Sequence, residues 1–170
     1  MSDDELIEQI RDGDEGAADA LIRRYYGSIL RYCRWHCSNA EKAEDLTQET
    51  FFKLFRNLWQ YEGKKKFKAY LYSIASHLCI DESRKMSFLS LEEEADLANG
   101  RDEMRQVEDN ALIGHLLQFL SPEQKEAVIL RFGGQLSYAE IAKVTGENMR
   151  TAQSRVRTAL KIMRASCHGQ

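Results

Sequence analysis

Gln153 and Arg157 stand one helical turn apart in the stretch MRTAQSRVRTALK, residues 149–161, and both side chains can make paired hydrogen bonds to a base edge. Arg150, Ser154, Lys161 and Arg164 fall on the same side at helical spacing, while Ala152, Val156, Ala159 and Met163 fall on the other. From Gly146 to Ala165 there are five basic residues and, after Glu147, no acid. Guanidinium and amide groups suit guanine and adenine edges, and the remaining cations suit phosphates. Such a helix reads as one that packs by its apolar face and enters a nucleic-acid groove by its basic face. An ordinary solvated basic face is the competing reading. Arg155 lies near the Ala152 and Ala159 side, where it is placed to support the preceding turn.

A second concentration of positive charge lies between residues 53 and 85. Lys53, Arg56, Lys64, Lys65, Lys66, Lys68, Arg84 and Lys85 face only three acids, Glu62, Asp81 and Glu82. Residues 1–86 hold 14 basic and 15 acidic side chains, residues 87–110 hold 2 and 8, and residues 111–170 hold 8 and 4. The formal net charge of -3 therefore conceals an acidic middle and a basic end. Two basic surfaces joined by an acidic tether fit one extended polyanion touched at two places.

Other chemistry is thinly represented. Cys33, His36 and Cys37 share a helix face at i, i+3 and i+4, but three ligand-type residues do not complete a metal site, and small buried thiols are the favoured reading. No glycine-rich phosphate loop and no recognisable pair of catalytic carboxylates occurs, so neither an enzyme nor a cofactor is expected. No apolar run approaches the roughly 18 residues of a membrane span, and the acidic start MSDDELIEQ is unlike a signal peptide. A cytoplasmic chain with four reduced thiols is expected.

The elements that must position these groups are all helical. Ten glycines, one proline and apolar residues at helical spacing predict an all-α chain. Leu6, Ile7 and Ile10 mark a first helix; Ala17, Ala20, Leu21 and Tyr25 a second; Ile29, Leu30, Cys33 and Cys37 a third. AEKAEDLTQETFFKLFRNLW forms a fourth and KFKAYLYSIASHLCIDESRK a fifth. The pattern lapses from Met86 to Asn110, which reads as a flexible acidic linker between a domain at 1–86 and another at 111–170. Ser121 with Gln124, and Ser137 with Glu140, predict capping boxes, the first with Pro122 at the opening helical position. The stretch SYAEIAKVTGENMRTAQSRVRTALK then has the pattern of a helix-turn-helix, with Ala142 at the close approach and Gly146 in the turn.

The successive stretches AEDLTQETFFKLFRNLWQY, FKAYLYSIASHLCIDESRK and LSPEQKEAVILRFGGQLSYAEIAKVTGENMRTAQSRVRTALKIMR resemble extracytoplasmic-function (ECF) sigma factors. These are the smallest members of the bacterial sigma-70 superfamily, keeping only the second and fourth sigma domains. The resemblance implies a sigma-2-like bundle and a sigma-4-like helix-turn-helix that direct core RNA polymerase to promoter DNA and help to open it. It further implies an anti-sigma factor as a partner. By this resemblance the helix carrying Glu41, Glu44, Asp45, Gln48 and Glu49 docks on the coiled coil of the polymerase clamp. Tyr61, Lys64, Lys65, Lys66, Phe67, Lys68 and Tyr70 correspond to the loop and helix that recognise and open the minus-ten element, where aromatic stacking on a base contributes about 1 to 3 kcal/mol. Tyr70 is equally placed to be core, since it shares helical spacing with Leu71, Ile74 and Leu78.

His77 stands where many relatives have asparagine, ahead of Asp81, Arg84 and Lys85, which puts the bases read there in doubt. Gln153 and Thr158 stand where relatives often have basic residues, so the minus-thirty-five preference is also open. Glu92, Glu93, Glu94 and Asp96 would lie in a linker threading toward the RNA exit path. A two-domain regulator that binds DNA alone would share the C-terminal motif. It would need a ligand pocket or dimer interface in place of an acidic docking helix.

Overall fold

The computed structural model describes residues 1–37, 39–89 and 107–168, and among these the backbone forms helices joined by turns and short irregular stretches, without a strand. The chain divides into two compact units, Met1–Ala95 and Asp96–Gln170. The residues Glu92, Glu93, Glu94 and Asp96 lie outside the described residues.

The N-terminal unit contains α1 (Asp3–Arg11), α2 (Glu15–His36), α3 (Ala40–Arg56), a short 3₁₀ turn (Leu58–Gln60) and α4 (Phe67–Leu89). Each of the first three begins on a residue whose side chain accepts from the otherwise unpaired first-turn amides: Ser2 with a reciprocal Glu5, Asp14, and Asn39. The core is built from Leu6 and Ile7 of α1, Leu21, Ile29 and Cys33 of α2, Leu46, Phe51 and Leu54 of α3, and Leu71, Tyr72 and Ala75 of α4. Thr47 and Thr50 are buried without loss because their hydroxyls donate to the carbonyls of Ala43 and Leu46, each at 2.7 Å.

Two helix boundaries differ from the sequence expectation. The expected second and third helices are one continuous α2, uninterrupted at Gly27. A mid-helix glycine costs only about 1 kcal/mol, and the buried Leu21, Ile29, Tyr32 and Cys33 on either side outweigh it. Helix also persists to Leu89 and resumes at Val107, inside the stretch 86–110 where the pattern was expected to lapse. No glycine or proline interrupts Arg84–Leu89, so each added residue still closes a backbone bond.

The C-terminal unit contains α5 (Val107–Leu117), α6 (Pro122–Val128) continued by a π-helical turn (Ile129–Gly133), α7 (Tyr138–Thr145) and α8 (Met149–His168). Both expected capping boxes form, Ser121 with Gln124 and Ser137 with Glu140. Its core gathers Leu117, Ala127, Leu130, Leu136 and Ile141 around Ala152, Val156 and Ala159 of α8. Arg131 reinforces the approach to α7, donating to the Leu136 carbonyl at 2.9 Å while its guanidinium lies 4.5 Å from the centre of the Tyr138 ring.

Candidate functional site

In the C-terminal unit, α7 ends at Gly146, whose φ of 75° is the left-handed cap that a side chain would strain. Two residues later Asn148 accepts from the Thr151 amide at 2.8 Å and starts α8. This tight turn holds α8 by Ala152, Val156 and Ala159, which are buried. The opposite side is open: Arg150, Gln153, Ser154, Arg157, Thr158, Lys161 and Arg164 are all exposed. At about 100° per residue these seven lie within roughly 140° of arc. Arg155 is outside that arc and pairs with Glu147 in the turn at 3.1 Å, the supporting position expected for it.

In the N-terminal unit, Glu41, Asp45, Gln48 and Glu49 are exposed on α3, while Ala43, Leu46, Thr47 and Thr50 are buried. Phe52 continues the same stripe one turn beyond Gln48 and Glu49 and is 60% exposed. On α4, His77, Ile80, Asp81 and Arg84 recur at i, i+3, i+4 and i+7 and are likewise exposed. An open cleft of about 450 Å³ separates these two helices, floored by Leu46 and Leu78 and walled by Asp45, Glu49, Asp81 and Lys85. Lys42 and Glu82 form an ion pair across it.

The loop between α3 and α4 departs from the sequence expectation. Lys64, Lys65 and Lys66 are exposed and Lys68 is half-buried. Tyr61 and Phe67, expected to offer their rings to DNA, are instead 5% and 1% exposed. Their rings meet edge-on at 5.7 Å, Phe67 also packs on Tyr25 at 5.5 Å, and the Tyr61 hydroxyl donates to Asp4 at 2.8 Å. Burial and the adjacent carboxylate push the Tyr61 hydroxyl far above its ordinary range, so it stays a donor. Tyr70 is half-buried, its ring 5.3 Å from that of Tyr61. The aromatic that does reach solvent is Trp59, at 74% exposure. Sequence reading missed it, although it adjoins the lysine run, and missed Phe52, although it continues the acidic stripe by helical spacing.

Cys33, Cys37 and Cys79 lie in the N-terminal unit, and Cys167 is exposed. Cys33 is buried against Cys79 of α4, with 3.9 Å between sulfurs. Cys37 donates to the Cys33 carbonyl at 3.0 Å, and the His36 ring rests 4.5 Å from that of Tyr32. Among the described residues no group of three or more His, Cys, Asp or Glu could hold a metal. No helix among them is long and apolar enough to cross a membrane.

The family model described as Sigma-70 region 2 matches residues 21–88, and Sigma-70, region 4 matches residues 111–163. RNA polymerase sigma factor YlaC of Bacillus subtilis is 31% identical over 153 residues, covering 83% of this chain and 88% of that protein. The chain belongs to the ECF group of sigma-70 family sigma factors. Most of α2, all of α3 and nearly all of α4 fall in region 2 and the helix-turn-helix in region 4, the two parts by which the family directs transcription initiation at promoters. This sigma factor is also 32% identical over 172 residues to ECF RNA polymerase sigma factor BldN of Streptomyces coelicolor, covering 94% of this chain but 65% of that protein. Its fold is similar to that of sigma factor RpoE from Bartonella quintana, solved in complex with the anti-sigma factor NepR. The TM-score is 0.70 at 22% identity, over 86% of this chain and 93% of that one.

Proposed function

We propose that this sigma factor divides promoter work among three surfaces: α3 docks on core polymerase, the lysine loop and α4 engage and open the minus-ten element, and α8 reads the minus-thirty-five element. The observation that carries the reading is the α3 stripe of Glu41, Asp45, Gln48, Glu49 and Phe52, exposed in a chain whose lysine loop and α8 each present exposed cations. Acids facing solvent repel DNA, so a stripe that keeps them together and ends on an exposed aromatic suits a basic protein partner. A regulator acting on DNA alone has no use for it.

Within the minus-ten surface, His77, Asp81 and Arg84 line one face of α4, and Lys64, Lys65 and Lys66 supply charge for the backbone. With Tyr61 and Phe67 buried, stacking on an unpaired base falls to Trp59 and the outer edge of Tyr70. On α8, Gln153 and Arg157 contact base edges, with Arg150, Lys161 and Arg164 on phosphates and Ser154 and Thr158 alongside. Residues 1–86 and 111–170 act as the two binding domains, and the acidic 87–110 as their tether along a path shaped for RNA. The protein works in the cytoplasm, as an initiation factor and not as an enzyme. An anti-sigma partner, like the NepR bound to the related RpoE, restrains it.

Transcription in vitro with purified core polymerase on a library of random promoters tests the reading. Enrichment of paired elements near minus ten and minus thirty-five, dependent on both core and this chain, is the expected result. Sequence-specific binding to duplex DNA without core, and no transcripts with it, would overturn the proposal.

A further inference from the structure

The lysine loop has a backbone that its own sequence does not favour. Gly63, Lys64 and Lys65 follow one another at φ of 84°, 67° and 57°. Glycine adopts that region freely, but two adjacent lysines there are strained, and three adjacent ammonium groups repel one another. A loop of this kind keeps its shape only where other groups hold it.

The groups that hold it come from α1, which precedes the matched region 2 at residue 21. One carboxylate spans the loop: an Asp4 oxygen accepts from the Tyr61 hydroxyl at 2.8 Å and the other accepts from the Lys65 amide at 3.0 Å. Arg11, at the other end of α1, donates to the carbonyls of Leu58 at 2.9 Å and Tyr61 at 2.5 Å, fixing the turn that presents Trp59. The helix is itself anchored, because Asp3 accepts from Arg24 at 2.7 Å and from the Tyr25 hydroxyl at 2.5 Å, and Leu6 and Ile7 are buried.

We propose that α1 is a positioning element for promoter opening, with Asp4 holding the basic loop in its working shape before DNA arrives. The inference rests on the reading of that loop as part of the minus-ten surface. Its advantage is preorganisation: a loop already ordered loses little freedom when it binds an unpaired strand. Charge alone argues the other way. Removing an acid beside three lysines makes the loop more cationic, and on electrostatics only would tighten its hold on DNA. The two effects have opposite signs, so the experiment separates them.

The test compares Asp4→Ala, Asp4→Asn, Tyr61→Phe and a Lys64, Lys65, Lys66→Ala variant of the full chain. Hydrogen exchange at the Lys65 amide is measured on the free protein, and open-complex formation is measured with core polymerase on duplex and premelted promoters. Asp4→Ala is expected to speed Lys65 exchange by about tenfold or more. It should slow opening of duplex DNA by about tenfold, with a premelted promoter restoring the rate. Asparagine keeps the shape but has one acceptor oxygen for the two donors, so Asp4→Asn should fall between wild type and Asp4→Ala in both measurements. Normal opening by Asp4→Ala, beside a defective lysine variant, would overturn the positioning role while leaving the loop reading intact. Normal opening by the lysine variant would overturn both. If Asp4→Ala does not fold, Tyr61→Phe removes one of the two bonds and keeps the ring. It should then show the faster exchange and slower opening to a smaller degree, and wild-type values for both would overturn the inference.

Discussion

Truncating Phe52 separates docking from folding more cleanly than any charge change on α3. The residue is 60% exposed, one helical turn beyond Gln48 at the end of the stripe formed by Glu41, Asp45, Gln48 and Glu49. An aromatic side chain buries about 200 Å² in all, so roughly 120 Å² of Phe52 remains for a partner to cover. At about 25 cal/mol per Å² that is worth close to 3 kcal/mol, a ceiling reached only if the partner encloses the ring. Phe52→Ala should therefore weaken core polymerase binding by between about tenfold and 150-fold. The contribution is apolar, so it should persist at high salt. Reversing Asp45 and Glu49 to lysine should also weaken docking, but that loss should shrink as salt rises, because exposed charges are screened within about 10 Å at 0.1 M. A fluorescence titration of core polymerase at two salt concentrations measures both, with thermal melting as the control for folding. An affinity for Phe52→Ala within twofold of wild type, with the fold intact, would refute the assignment of α3 as the docking surface.

Tyr61→Ala, which a base-stacking role would make a selective opening mutant, should instead destabilise the N-terminal unit by about 3 to 5 kcal/mol, as loss of a buried aromatic does; a thermal melt distinguishes the two. Gly146→Ala meets no atom within 4 Å but keeps a φ of 75°, so its cost is backbone strain of about 1 to 2 kcal/mol, visible as a lower Tm. Selections on randomised upstream elements should show a changed preference at one position for Arg157→Ala, and an unchanged preference with a salt slope lower by about one unit for Lys161→Ala. Burial raises the Cys37 thiol from 9.0 to about 11, so its alkylation at neutral pH should be about a hundredfold slower than that of an ordinary thiol and climb as pH approaches that value. The exposed Cys167 should be labelled first, which mass spectrometry of partially alkylated protein checks.

The α8 surface was legible in the sequence because one period controls both burial and exposure. Once Ala152, Val156 and Ala159 face inward, helical geometry turns Arg150, Gln153, Arg157 and Lys161 outward with no help from distant residues. The turn was legible for the same local reason, since Gly146 and Asn148 carry their conformational preferences with them. The α3 stripe was half legible. Its acids stood out, but an aromatic at i+3 from Glu49 reads equally well as core, and only the burial of Phe51 and Leu54 shows that Phe52 is left outside.

Tyr61 shows where local reasoning stops. An aromatic beside lysines has an apolar ring and a polar hydroxyl, and the local sequence is consistent with a ring turned toward bases or toward the core. What decides is a carboxylate 57 positions earlier that accepts the hydroxyl, together with the Phe67 ring that packs edge-on against it. Neither partner announces itself by spacing, because a hydrogen bond between a helix start and a distant loop has no period. The same acid also caps the Lys65 amide, so the error about Tyr61 and the missed role of α1 have one cause. Asp4 reads locally as an ordinary acid in a helix's first turn, favoured there by the macrodipole. The fold gives it a second use, as the acceptor that ties the Tyr61 hydroxyl and the Lys65 amide to α1.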